Sequence, residues 1–217
     1  MANRLTVGMV QAEAANFSRE ESQHKEASLF GVTDGKAVGT YLEHKFQDTL
    51  ARKYGYERGN SASGIDFPSL GLDIKVTSLK QPQSSCPFRS ARQKVYGLGY
   101  SLIVFVYEKT DYPRLKAATL KIVHTIFVDK DRTADYQTTV GLRKLVKNGA
   151  NKDDILAFFE ERRLPIDEIE GEVLAEEILL RPPDIGYLTI SNALQWRLQY
   201  GRAIEQAGQA QGVTRLS

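Results

Sequence analysis

The sequence predicts an α/β (α+β) fold, a mixed central β-sheet flanked by helices, with a mostly helical C-terminal region. Three observations lead there. Val38, Leu42, Phe46, Leu50 and Tyr54 recur at every fourth position, with Tyr41 beside them, which is the stripe of an amphipathic helix. Residues 101–107, SLIVFVY, form a continuous apolar run, as a strand buried on both faces requires. Beyond residue 150, Asn151 and Asp154 have capping spacing ahead of Ile155, Leu156, Phe158 and Phe159.

The other elements follow in order. Residues 18–29 read as a polar helix, because Ser18 and Glu21 have capping-box spacing. Thr33, Asp34 and Gly35 make a loop before the long helix that starts at Lys36. Gly55, Gly59, Asn60 and Ser61 break its pattern. Residues 65–67 and 70–76 read as two short strands around Pro68 and Ser69. Residues 81–87, with two prolines, read as loop, and 90–96 as a short helix. Apolar alternation marks 120–128 as a strand. Arg181, Pro182, Pro183 and Asp184 interrupt the chain. Ser191 then precedes a helix carrying Leu194, Leu198 and Ile204. One domain over 1–217 is expected. Within it, 1–30 is a helical arm, 31–130 the catalytic core, and 131–217 a region for specificity or dimerisation.

The 217 residues are 41% hydrophobic and 26% charged, as in a soluble globular chain, and length alone can supply a core. The net charge of +2 does not by itself mark a polyanion partner. The lone Cys86 excludes an internal disulfide and a cysteine-based zinc site. No apolar run reaches the roughly 18 residues that span a bilayer, and the first residues lack a signal peptide's apolar stretch. A cytoplasmic protein without a membrane partner is expected.

The chemistry concentrates in residues 64–75, GIDFPSLGLDIK. Strand side chains alternate, so Asp73 and Lys75 share a face while Ile74 points into the core. Asp66 can approach that face from the neighbouring strand or turn. Two carboxylates and an ammonium then converge. Phosphodiester cleavage uses such a set: hard oxygens hold magnesium, the metal activates water, and a lysine orients that water or neutralises developing charge. Glu43 flanks the buried helix stripe and is the candidate third carboxylate, acting through water or on a second ion.

Asp66 followed by Asp73-Ile74-Lys75 resembles the PD-(D/E)XK nuclease motif. Gly39-Thr40-Tyr41-Leu42-Glu43 upstream and Leu70-Gly71 at fixed spacing are similar to its MutH-like branch, which contains a mismatch-repair nicking enzyme and certain restriction endonucleases. The likeness covers about residues 34–107. Asp73 stands where that motif usually has Glu, and Ile65 rather than Pro precedes Asp66. The resemblance implies a restriction-endonuclease-like core and a Mg2+-dependent type II restriction endonuclease, with Mn2+ substituting. It implies Glu43, Asp66, Asp73 and Lys75 as catalytic residues. The metal would lie on Asp66, Asp73, Glu43 and the main-chain carbonyl of Ile74. A strand-nicking repair enzyme and a non-catalytic DNA-binding module of the same fold stay open as alternatives.

Double-stranded DNA is the expected partner, and a homodimer would match a palindromic site. No acidic residue lies between Asp73 and Glu108, while Lys75, Lys80, Arg89, Arg92 and Lys94 do. Lys80, Gln81, Gln83, Arg89, Arg92 and Lys94 are the expected DNA contacts, with Ser84 and Ser85 beside them. His124, His44, Trp196 and the Arg162, Arg163 pair are read as packing or surface residues.

Overall fold

A computed structural model describes residues 3–57, 59, 64–85, 89–191 and 196–217. The chain runs through β1 (Asn3–Arg4), α1 (Val7–Glu21), α2 (Gly35–Ala51), β2 (Tyr54–Gly55), β3 (Leu72–Ser78), β4 (Gln83–Ser85) and α3 (Arg92–Tyr96). It continues with β5 (Ser101–Tyr112), β6 (Ala117–Val128), α4 (Tyr136–Lys147), α5 (Lys152–Glu161) and α6 (Glu168–Leu180). It ends with β7 (Thr189–Ile190), β8 (Arg197–Gln199), α7 (Gly201–Gln206) and β9 (Val213–Arg215). The main sheet has the order β3-β5-β6-β9, with β3 parallel to β5 and the other pairs antiparallel. It is the mixed, helix-flanked sheet of a restriction-endonuclease-like fold, and β3 and β9 are its two edges.

The unbroken apolar run explains why β5 is central. Ile103, Phe105 and Tyr107 face one side and Leu102, Val104 and Val106 the other, and both sides are covered. On the first side lie α1 and α2. Val38, Leu42, Phe46 and Leu50 form the expected stripe of α2 and are fully buried or nearly so. Phe17, Phe46 and Phe105 meet with ring centroids 5.1–5.7 Å apart. On the second side a smaller sheet, β4-β8-β7, seals the core with Leu198, Ile190 and Tyr200. A third apolar cluster joins α3 to α4, α5 and α6 through Val95, Leu142, Phe159, Leu174 and Ile178.

Several elements differ from the sequence expectation. The first helix ends at Glu21 rather than starting at Ser18. Thr6 caps it by accepting from the Met9 N–H, and Val10, Ala14 and Phe17 bury one face. Ser18 lies inside this helix, where its hydroxyl donates to the Ala14 carbonyl and meets Thr125 Oγ1. Its spacing from Glu21 is therefore coincidental. Residues 83–85 are a strand, not loop. The expected helix after Ser191 is replaced by β8, with Leu198 in the strand and Ile204 in α7; Leu194 lies outside the described residues. Leu198 packs beneath a strand pair, a contact with residues over a hundred positions away that local spacing does not encode. The final segment also supplies β9 to the main sheet, so beyond α6 the C-terminal region combines short strands with the one short helix α7 among the described residues. The Asn151–Asp154 capping box forms as expected. Among the described residues no helix is long and apolar enough to cross a membrane. Cys86 lies outside the described residues.

Candidate active site at the free edge of the sheet

Four side chains, from α2, from β3 and from the turn that precedes β3, meet at the edge of β3. The chain reaches it through a turn rather than the expected strand at 65–67. Pro68 opens one turn of 3-10 helix through Leu70, and Gly71 closes it with φ 56°, a left-handed conformation that glycine adopts without strain. Phe67 and Leu72 then pair across the turn with N···O distances of 3.0 and 3.3 Å. This folds Asp66 back onto the strand. Its Oδ2 accepts from the Ile74 N–H at 2.8 Å, and its own N–H donates to Asp73 Oδ1 at 3.2 Å.

The Ile74 N–H thus points away from β5, toward the free edge. In an extended strand a residue's N–H and C=O point to the same side, so the Ile74 carbonyl also faces the site. Asp73 and Lys75 lie opposite Leu102 and Val104 of β5, on the face away from Ile74, as alternation requires. Helix α2 packs on the other face, and Glu43 reaches round the uncovered edge. A cleft of about 320 Å³ is lined by Glu43, His44, Gln47, Asp66, Asp73, Ile74 and Lys75, with Gly59, Gly64 and Ile65.

The electrostatics are those of a crowded anionic site. Burial pushes Asp73 up to about 7; the Lys75 charge opposes this, and the Asp66 carboxyl adds to it. Burial also raises Asp66 and Glu43, with each other's charge contributing to Asp66 and that of Asp73 to Glu43. Burial acts to deprotonate Lys75, but Asp73, Asp66 and Glu43 outweigh it and raise its pKa. Lys75 is therefore a cation here and not a free base. The carboxyls of Glu43 and Asp73 both crowd that of Asp66, and like charges this close favour a proton or a cation between them.

Asp73 Oδ2 is the one buried side-chain oxygen or nitrogen among the described residues that lacks a hydrogen-bond partner. The Lys75 ammonium stands 2.5 Å from it without hydrogen-bond alignment. Three carboxylates facing a single ammonium leave an excess of negative charge that fits a divalent cation. Among the described residues no three acid, histidine or cysteine side chains form a ready-made cage. Magnesium does not need one, since it binds through one or two carboxylates, waters and substrate phosphate.

Gln47 was not anticipated. Its amide donates to Asp66 Oδ1 at 2.9 Å, holding the carboxyl from α2. Its signal was its position four residues after Glu43, on the same helix face. His44, read as a surface residue, is exposed but lines the cleft. His124 accepts from Arg215 at 2.8 Å on the edge of the sheet, away from this cleft.

The expected DNA contacts separate into two groups. Lys80, Gln81 and Arg89 are exposed and Gln83 is half-buried on β4. Arg92 instead clamps Glu177 with two hydrogen bonds and stacks on Tyr96, tying α3 to α6. Lys94 is 6% exposed, and burial lowers its pKa. Arg92 is thus exposed but paired with Glu177, and Lys94 is buried, which leaves Lys80, Gln81 and Arg89 as the more accessible part of the expected contact set. Glu177 lies so far along the chain that the acid-free stretch around Arg92 gave no hint of it.

The sequence profile of the family described as type II restriction enzyme NspV matches residues 4–215. The chain belongs to this family. The type II restriction enzyme NspV of Nostoc sp. (strain ATCC 29411 / PCC 7524) is 60% identical to it over 209 residues, 96% of this chain and 95% of that protein. No solved structure matches the chain. Membership in the NspV family makes the chain a type II restriction enzyme, a site-specific endonuclease, and sets aside the non-catalytic module. The match runs through the whole fold, from β1 to β9, and so includes both the cleft and the C-terminal region that the motif resemblance did not reach.

Proposed function

We propose that this NspV-family enzyme is a Mg2+-dependent endonuclease with a PD-(D/E)XK, MutH-like catalytic core. It hydrolyses both strands of double-stranded DNA at a short specific sequence, and Mn2+ substitutes for Mg2+. The observation that carries the reading is the cleft at the edge of β3, where Glu43, Asp66 and Asp73 converge on one lysine and Asp73 Oδ2 is buried with only the Lys75 ammonium facing it.

Asp66 and Asp73 would hold the metal, with the Ile74 carbonyl as a third oxygen and Glu43 acting through water or on a second ion. When bound, the metal supplies an activated water and charge neutralisation at the scissile phosphate. Lys75, kept protonated by its three acidic neighbours, orients the attacking water and offsets the negative charge that develops on the phosphate oxygens. Gln47 fixes the rotamer of Asp66, and the Ile74 N–H fixes its second oxygen. Lys80, Gln81 and Arg89 lie on the exposed, acid-free segment after β3 and would contact the DNA backbone. A two-fold homodimer acting on a palindromic site, in the cytoplasm, completes the proposal.

Digestion of a DNA of known sequence tests it. Discrete bands with Mg2+ that disappear in EDTA are expected. Nicked circles as the final product would favour the strand-nicking alternative, and intact DNA with either Mg2+ or Mn2+ would refute the proposal. Gln47→Ala should leave folding intact and weaken activation by metal about 10- to 100-fold, as loss of a group orienting a ligand does. A titration of cleavage rate against Mg2+ concentration checks this; an unchanged half-maximal concentration would remove Gln47 from the site.

A further inference from the structure

We infer that the antiparallel pair β4–β8 reads base edges in the DNA, with Gln83, Arg197 and Gln199 as specificity-determining residues. The inference rests on the endonuclease reading above and extends it to a part of the chain outside the catalytic motif. Gln83 stands opposite Gln199, and Ser85 opposite Arg197. Alternation places these four on one face of the ribbon, with Ser84 and Leu198 on the other. The inner face is closed: Leu198 is fully buried, and the Ser84 hydroxyl meets the Tyr200 hydroxyl at 2.6 Å. The outer face is open, with Ser85, Arg197 and Gln199 exposed. The side chains of Gln83, Arg197 and Gln199 have no hydrogen bond or ion pair among the described residues.

Charge favours a polyanion here. β4 lies in the acid-free interval between Asp73 and Glu108. β8 lies in a second one, between Asp184 and Glu205. Pairing the two strands brings both intervals together, so the ribbon's own segments carry no carboxylate to repel phosphate. Position favours the same substrate that enters the cleft. Thr77 shares the face of β3 with Asp73 and Lys75, and its hydroxyl lies 3.2 and 3.1 Å from the Gln81 and Gln83 carbonyls. The ribbon is therefore fastened to the catalytic strand two residues past Lys75, about 7 Å along it.

The residue types match base chemistry. β4 and β8 belong to the small sheet β4-β8-β7; strands of such sheets read DNA grooves, and in the major groove Arg forks onto guanine O6 and N7, and Gln pairs with adenine N6 and N7. The recognised site should then contain both G·C and A·T pairs.

The test is cleavage of a plasmid library with a randomised insert, followed by sequencing of the cut ends. The wild type defines the site. Arg197→Ala should relax discrimination at one G·C pair by about 5- to 150-fold. Arg197→Lys should not restore it, although lysine would restore a plain phosphate contact. Gln83→Ala and Gln199→Ala should relax an A·T pair. Gln199 is exposed, so its variant carries the test if another fails to fold. An unchanged profile, or slower cutting of all sequences alike, would overturn the inference. Failure of the endonuclease reading appears separately, as a wild type that leaves the library uncut or cuts without preference, and it would overturn the inference as well.

Discussion

Asp73→Asn is expected to abolish cleavage and yet to raise the melting temperature of the metal-free enzyme at pH 8. Losing the carboxylate removes the anchor of the metal, whose charge stabilisation amounts to several kcal/mol, so the rate should fall by about 10³-fold or more. Stability moves the other way because of proton linkage. The folded protein holds Asp73 with a pKa of about 7 against the ordinary aspartate value of 3.8. Folding therefore binds a proton that the unfolded chain releases, and stability falls as pH rises from about 4 to about 7. Above that window the wild type carries the full penalty of a buried, crowded carboxylate, a few kcal/mol, and the amide does not. Each kcal/mol regained is worth about 2–4 °C in a chain of this size. Asp66 and Glu43 remain to balance Lys75 in the variant. The gain should vanish near pH 4, and Mg2+ should stabilise the wild type only. Thermal melts at two pH values, with and without Mg2+, check this. A variant that melts below the wild type at pH 8 would contradict the linkage.

Lys75→Ala should differ in three respects. Removing the ammonium leaves three carboxylates facing each other in a half-closed cleft. Breaking a buried ion pair from one side costs about 3–5 kcal/mol, so the metal-free variant should melt well below the wild type at pH 8. Its stability should also fall more steeply with rising pH, since Glu43, Asp66 and Asp73 all lose a compensating charge. Divalent metal should then bind more tightly, because it replaces the lost positive charge. Cleavage should nevertheless fall about 10²- to 10³-fold, the usual loss when one preorganised group is removed from developing negative charge. Tighter metal with slower chemistry separates Lys75 from the ligands. Weaker metal binding in this variant would mean that Lys75 organises the site instead.

The parts of the fold that follow local periodicity were legible in the sequence. The stripe from Val38 to Leu50 and the run 101–107 identified α2 and β5, because each pattern reports how many faces are buried. The DIK alternation placed Asp73 and Lys75 on one face, and the strand geometry agrees. The turn at Asp66 was harder to read. Ile65 and Phe67 resemble strand residues, but Pro68 and Gly71 force a 3-10 turn that returns Asp66 to Ile74. Pairings between distant segments were not legible. Nothing near Arg92 announces Glu177, and nothing near Gln83 announces Gln199. Gln47 sat within the stripe helix, but an isolated glutamine becomes meaningful only when its amide is seen on Asp66.

Anomalous diffraction from crystals grown with Mn2+ tests the central claim most directly. A peak at the free edge of β3, within bonding distance of Asp66, Asp73 and the Ile74 carbonyl, is the expected result. A fully active enzyme whose manganese lies elsewhere, with Asp66 and Asp73 bare, would contradict it.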